Sequence, residues 1–313
     1  HTDLSDTETK IDYINVILEA NFMASPTSGS VPLEVQFSDQ SVGEISDWAW
    51  DFDNDGTVDS TEQNPTYTYE NAGSYTVSLT VTHTDLSDTE TKIDYINVIL
   101  WSTMTSGTTT SLHAVWGSSS SDVFAVGLSG TILHYDGSSW STMTSGTTEG
   151  LNGVWGSSSS DVFAVGWNGT IVHYDGSSWS TMTSGTTEGF LCVWGSSSSD
   201  VFAVGPSGTI LHYDGTSWST MTSGTTSYLM SVWGSSASDV FVVGAYGTML
   251  HYDGSSWSTM DISMWLLNIW GSTSSDVFAV GERGNLTHYD GTAWSYMTSG
   301  TREELNGVWG SSS

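Results

Sequence analysis

Apolar and polar residues change places over short distances along this chain, and from 101 onward nothing shows the 3.6-residue period of a helix. Between 75 and 81, Tyr75, Val77, Leu79 and Val81 alternate with Thr76, Ser78 and Thr80. That period of two predicts an antiparallel strand with one buried face. From 111 to 135 the chain reads SLHAVWGSSSSDVFAVGLSGTILHY. Its segments LHAVWG, DVFAVG and GTILHY, and the WSTMTS that follows, are strand-length and rich in Val, Phe, Ile, Trp and Thr. Gly, Ser and Asp separate them, and Gly127-x-x-Gly130 and Asp136-Gly137 suit turns that need positive φ. No apolar run approaches the roughly 18 residues of a membrane-spanning helix.

The strand pattern is periodic at a longer scale. Trp-Gly pairs begin at Trp116, Trp155, Trp194, Trp233, Trp270 and Trp309, at spacings of 39, 39, 39, 37 and 39. The short interval falls in 257–270, where STMDISMW replaces STMTSGTT. Four short strands in a unit of about 40 residues predict a blade of a β-propeller. A second repeat is unrelated: residues 1–18 recur unchanged at 83–100.

Two resemblances rest on these residues. Phe22, SPTSGSVPLEVQFSDQS (25–41), WAWDFDNDG (48–56), NPTYTY (64–69) and AGSYTVSLTV (72–81) resemble a PKD domain. That implies an immunoglobulin-like β-sandwich of the kind common in extracellular proteins. The VWGSSSSDVFAVG and GTILHYDGSSW motifs resemble a propeller-repeat family of bacterial and archaeal modular surface proteins. The expected fold is all-β, a PKD sandwich followed by a propeller of about five to six four-stranded blades. Residues 1–20 read as the terminal strand of a preceding PKD-type repeat, 21–100 as the sandwich and 101–313 as the propeller. Its repeats fall near 115–153, 154–192, 193–231, 232–268 and 269–307, with 308–313 incomplete.

Charge narrows the partners. With 35 Asp+Glu against 4 Lys+Arg, the net charge is −31. Neutralising nucleic-acid phosphates or docking on an anionic bilayer needs the cations this chain lacks, so neither nucleic acid nor membrane insertion is expected. Two arginines, Arg283 and Arg302, are too few for an arginine cluster around an anionic substrate. The single cysteine, Cys192, excludes an intrachain disulfide and sits in a small-residue slot that suits a buried, inert thiol.

Candidate chemistry concentrates in one loop. Asp51, Asp53, Asp55, Gly56, Thr57, Asp59 and Glu62 take positions 1, 3, 5, 6, 7, 9 and 12 of a calcium-loop spacing, with Val58 where an apolar anchor belongs. Alternate side chains of a tight loop converge on one point, and a cation offsets the repulsion among the carboxylates. Ca2+ held by Asp51, Asp53, Asp55, Thr57, Asp59 and Glu62 is therefore expected. The repeated histidines His134, His173, His212, His251 and His288 suit a hydrogen-bond network within each blade rather than a metal ring. For His134 the partner is Asp122 or Asp136, with Trp116 or Trp140. Against this constant frame a few positions vary, and Trp167, Asn168, Tyr228, Tyr246 and Arg283 are the candidate binding-face residues.

The reading is a non-enzymatic, extracellular or cell-surface structural and adhesive protein, a repeat unit of a surface layer, sheath or filament. Its partners would be other copies of itself or neighbouring modules. The alternative is a lectin-like propeller that binds glycans, with the PKD domain as spacer.

Overall fold

The computed structural model describes residues 18–100, 103–260 and 262–310. It divides into two compact units between Met104 and Thr105. The predicted preceding-repeat strand at 1–18 lies outside the described residues apart from Leu18.

The first unit is a two-sheet sandwich. Its strands are β1 (Phe22–Ser25), β2 (Ser28–Ser30), β3 (Leu33–Asp39), β4 (Asp47–Asp51), β5 (Thr66–Tyr69), β6 (Gly73–His83) and β7 (Leu86–Ile99). One sheet has the order β1-β3-β5, and the other β2-β7-β6-β4. The predicted alternation holds in β6, where Val77, Leu79 and Val81 are fully buried. They meet an aromatic core of Phe22, Phe37, Trp50 and Phe52, in which Phe22 and Trp50 pack edge to face with centroids 5.2 Å apart. The repeated 83–100 segment supplies β7, and its polar residues fasten the opposite sheet. Lys92 Nζ donates to the Phe22 carbonyl at 2.6 Å and lies 4.7 Å from the Phe22 ring centre. Asp88 accepts from the Ala20 N–H at 2.8 Å.

The second unit holds five antiparallel four-stranded blades. Blade 1 comprises Leu112–Ser119, Asp122–Gly127, Ile132–Tyr135 and Trp140–Met143. Blades 2 to 5 begin at Leu151, Cys192, Leu229 and Leu266, and the strands of each are ordered as in the sequence. Tight turns join them. In the Asp-Gly turn of blade 1, Asp136 Oδ1 accepts from the N–H groups of Ser138 and Ser139, both at 2.9 Å, and from the Ser138 hydroxyl at 2.7 Å.

A fixed set of contacts joins successive blades. Phe124 of blade 1 stacks with Trp116 of its own blade and meets Trp179 of blade 2 edge to face at 6.0 Å. Phe163 repeats this with Trp155 and Trp218, and Phe241 does so with Trp294. Each inner-strand tryptophan also lies on a glycine of the following blade. Any Cβ at Gly156, Gly195, Gly234 or Gly271 would come within 2.6–2.7 Å of the ring of Trp116, Trp155, Trp194 or Trp233. Glycine is required there by contact, since its neighbour occupies the space a side chain would need.

This contact is testable. A Cβ at Gly195 would also lie 2.7 Å from the Asp200 carbonyl oxygen. Gly195→Ala is expected to destabilise the propeller by about 1–3 kcal/mol, the usual cost of overpacking. Gly307, which has no atom within 4 Å of its Cβ position, should tolerate alanine with no loss. Chemical denaturation of the two variants beside the parent chain measures the difference.

Candidate functional sites

The acidic loop begins where β4 leaves the sandwich. Trp50 is fully buried and its indole N–H donates to the Glu62 carbonyl at 2.8 Å, so the loop is tied at both ends. The Trp50 N–H donates to Ser60 O at 2.9 Å and the Asp59 N–H to Trp50 O at 2.8 Å, closing the neck. Inside the loop, Gly56 sits at φ 88 and Asn54 at φ 56, the left-handed conformations that let the chain reverse. Asp51, Asp53 and Asp59 each direct a carboxylate oxygen to one place, all within 4.8 Å of one another. Asp51 accepts from the Gly56 N–H at 2.9 Å and Asp59 from the Phe52 N–H at 2.7 Å, which fixes both side chains. Desolvation, followed by the charges of Asp55, Asp59 and Asp51, raises the pKa of Asp53.

The rest of the predicted ligand set has other engagements. Asp55 accepts from the Thr57 N–H at 2.7 Å and stands outside the three-carboxylate cluster, as does Glu62. Val58 does not anchor the loop, because it is exposed. The loop joins the ends of a strand ladder, and no facing helix offers Val58 an apolar partner.

In the propeller, the structure decides between the partners left open for histidine. His134 Nε2 lies 2.7 Å from Asp122 Oδ1, and the Ser118 hydroxyl donates to Asp122 Oδ2 at 2.5 Å. Ser157-Asp161-His173, Ser196-Asp200-His212, Ser235-Asp239-His251 and Ser272-Asp276-His288 repeat the arrangement. Each imidazole also lies against the phenylalanine of its own second strand, as His134 does on Phe124 at 4.6 Å. The histidines thus serve the interior of single blades. Asp136 belongs to the turn, and both tryptophans belong to apolar packing. At Cys192, desolvation raises the thiol pKa, which opposes thiolate chemistry.

All five binding-face candidates fall on one side of the blades. The turn between second and third strands places its middle residue at φ 53–57 in every blade: Ser129, Asn168, Ser207, Tyr246 and Arg283. Asn and Gly adopt this conformation readily, whereas Tyr and Arg do so at a cost of order 1 kcal/mol. Trp167 opens the turn of blade 2, and its ring comes within 3.3 Å of the Cβ position of Gly150. Asn168 donates to Glu149 Oε2 at 2.8 Å. Tyr228 lies one residue ahead of its inner strand, and its carbonyl accepts from the Ala245 N–H at 2.9 Å. Trp167, Tyr228 and Tyr246 are all exposed.

Trp265 is a site residue that the repeat pattern concealed. It occupies the position of Ser111, Gly150, Gly189 and Tyr228, immediately before the inner strand, but the two-residue contraction of 257–270 hides that equivalence. Counting back from Leu266, the counterpart of Leu112 and Leu151, reveals it. Its ring packs against Tyr246 with centroids 5.0 Å apart, and its carbonyl accepts from the Glu282 N–H at 3.2 Å.

Residues 17–98 match the family model of the PKD domain. No curated protein matches the chain. Among solved structures it is similar to "YCF48 bound to D1 peptide", at 16% identity over 61% of this chain and 68% of that one, with a TM-score of 0.50. It is also similar to the WD40 beta propeller domain of Doa1, at 13% identity over 60% of this chain and 68% of that one, with a TM-score of 0.52. At such identities the likeness is one of fold. The chain is an all-β modular protein, a PKD domain followed by a multi-blade β-propeller.

The Asp-Gly turns give the propeller a definite acid response. The Ser138 hydroxyl and then the N–H groups of Ser139 and Ser138 lower the Asp136 carboxyl from 3.8 to about 2. Asp175, Asp214, Asp253 and Asp290 are lowered likewise to about 2. A depressed carboxyl contributes stability that is present above its unfolded pKa and lost as pH falls through the folded one. The melting temperature is expected to fall between about pH 4 and pH 2, and Asp175→Ala should flatten that slope. Calorimetric scans across the range measure both.

Proposed function

We propose that this is a non-enzymatic structural and adhesive protein of the extracellular or cell-surface kind, whose propeller associates with further copies of the same repeat. The observation that carries the reading is the state of the two end blades. Each internal interface joins one face of a blade to the opposite face of the next, and buries Val154, Val193, Val232 and Ile269 to 4–8% exposure. Their counterpart on blade 1, Val115, is 66% exposed, and Leu112 beside it is exposed too. At the other end, Met297 of blade 5 is exposed where Met143 and Met182 pack against the following blade.

The two open faces are the two halves of an interface the molecule already makes four times. Residues after Thr301 cover part of the blade 5 face: the Leu305 N–H donates to Gly281 O at 3.0 Å, and Gly310 lies against Trp270. Among the described residues nothing lies within 4 Å of the Cβ position of Gly307, whereas the Cβ of its counterpart Gly153 would stand 3.2 Å from Cys192. Blade 1 carries the same Leu-x-x-Val-Trp-Gly motif and three further strands. Blade 1 of a second copy would offer this face a full four-stranded partner. Contacts between two different faces propagate head to tail and build rings or filaments.

Sedimentation of the whole chain tests the reading. Association should rise with concentration. Val115→Asp and Met297→Asp should each weaken it at least about tenfold, because an unpaired aspartate would be buried at the contact. Mixed in equal amounts, the two variants should form dimers and nothing larger, since each retains one intact face. A chain that stays monomeric at every concentration, or a mixture that fails to pair, overturns the proposal.

We further propose Ca2+ in the acidic loop. Three hard carboxylate oxygens converging at a glycine-permitted turn suit this cation, which takes six to eight oxygen ligands, waters among them. Asp51, Asp53 and Asp59 would hold it, with Asp55, Thr57 and Glu62 as the further oxygen donors of the loop. Calcium at about 100 times its Kd should stabilise the unit by about 2.7 kcal/mol. Asp53→Asn should abolish the gain. Identical melting of the whole chain in calcium and in chelator would refute the site.

A further inference from the structure

We propose that the cleft between blades 4 and 5 binds a neutral sugar ring, with Tyr246 as the stacking platform. Tyr246 is 80% exposed, while Trp265 backs one side of its ring at 5.0 Å and 37°. Most of the rest of the ring faces solvent. An apolar ring face that is rigid and open suits the C–H face of a pyranose, which no small ion or extended acidic chain can match. Around it stand Ser263, Glu282, Arg283 and Asn285, lining a cleft of about 280 Å³. Between them they offer donors and acceptors at several angles, which is what the hydroxyl rim of a sugar requires. The volume accommodates one ring.

Charge selects the class of sugar. Glu282 and Arg283 are neighbours in one turn, so the cleft has no strong charge of its own. The surrounding chain carries −31 and repels anions, which disfavours uronic and sialic acids.

The backbone gives independent support. Among the described residues Tyr246 is the one aromatic held at positive φ, at 57°, in a turn where Ser and Asn occupy the same place in blades 1 to 3. A large ring persists there against its conformational preference, and such strain collects where a side chain has work to do. No other blade pairs aromatic residues across this groove: the equivalent positions hold Ser129 with Gly150, Asn168 with Gly189, and Ser207 with Tyr228.

The strained φ also supplies a clean test. Saturation-transfer NMR is run on the whole chain with glucose, galactose, mannose and N-acetylglucosamine as separate probes. At least one is expected to receive saturation on its ring protons, with Tyr246→Phe retaining it. Tyr246→Gly removes the platform and relieves the backbone, so it should weaken binding at least about tenfold while the melting temperature holds or rises. Silence from all the probes overturns the inference. Undiminished binding by Tyr246→Gly does so too, as does glucuronate binding more tightly than glucose. The variant leaves Val115 and Met297 intact, so its outcome is separate from that of self-association.

Discussion

A tryptophan ring lying on a glycine of the next blade sets the geometry of the propeller. The ring needs the space a Cβ would fill, so each inner strand must read Trp-Gly: the tryptophan is given to one neighbour and the glycine receives the other. Phe124 and its equivalents then join four aromatic or imidazole rings from two blades. Close packing of this sort tolerates little change in volume. That explains why the blade frame is so nearly constant while turn residues on one side vary. The Ser-Asp-His chain adds a polar counterpart within each blade, in which every member has a partner.

The two units use their acidic residues differently. In the propeller, aspartates take fixed partners, bonding to serine and histidine or closing the Asp-Gly turns on backbone N–H groups. In the sandwich, three carboxylates meet one another at the end of β4, and desolvation, followed by the neighbouring charges, raises the pKa of Asp53. Lys92, one of two lysines in the chain, is committed to the Phe22 carbonyl inside the same unit. Little positive charge remains to balance the acidic surface.

Much of this was legible in the residues. Period-two alternation located β6, and Gly-punctuated runs located the blade strands, because both depend only on local chemistry and on which side of a sheet is wet. The loop spacing at 51–62 likewise placed three of its aspartates at one point. What the sequence left open depended on distance across strands. Asp122 opens the second strand and Asp136 follows the third, and only the register of those two strands brings Asp122 to His134. Val58 was misassigned because the spacing of a calcium loop carries an expectation of flanking helices that strands do not satisfy. Trp265 escaped because a two-residue contraction shifted the alignment just where the side chain changed most. The exposure of Val115 was invisible for another reason: its motif is the same as that of its buried counterparts, and only its place in the first of the described blades distinguishes it.

Near-identity of the interfaces has a consequence for how the chain reaches this arrangement. Because blade 2 presents to blade 3 what blade 4 presents to blade 5, contact chemistry alone does not tell a blade which neighbour is its own. Sequential order must come from the short connections, such as the seven residues between Met143 and Leu151, which bring the correct neighbour into reach first. During synthesis each new blade meets its predecessor before any rival has emerged, whereas refolding from a fully unfolded chain offers every pairing at once. The connections therefore serve as the address system of a fold whose parts are otherwise interchangeable.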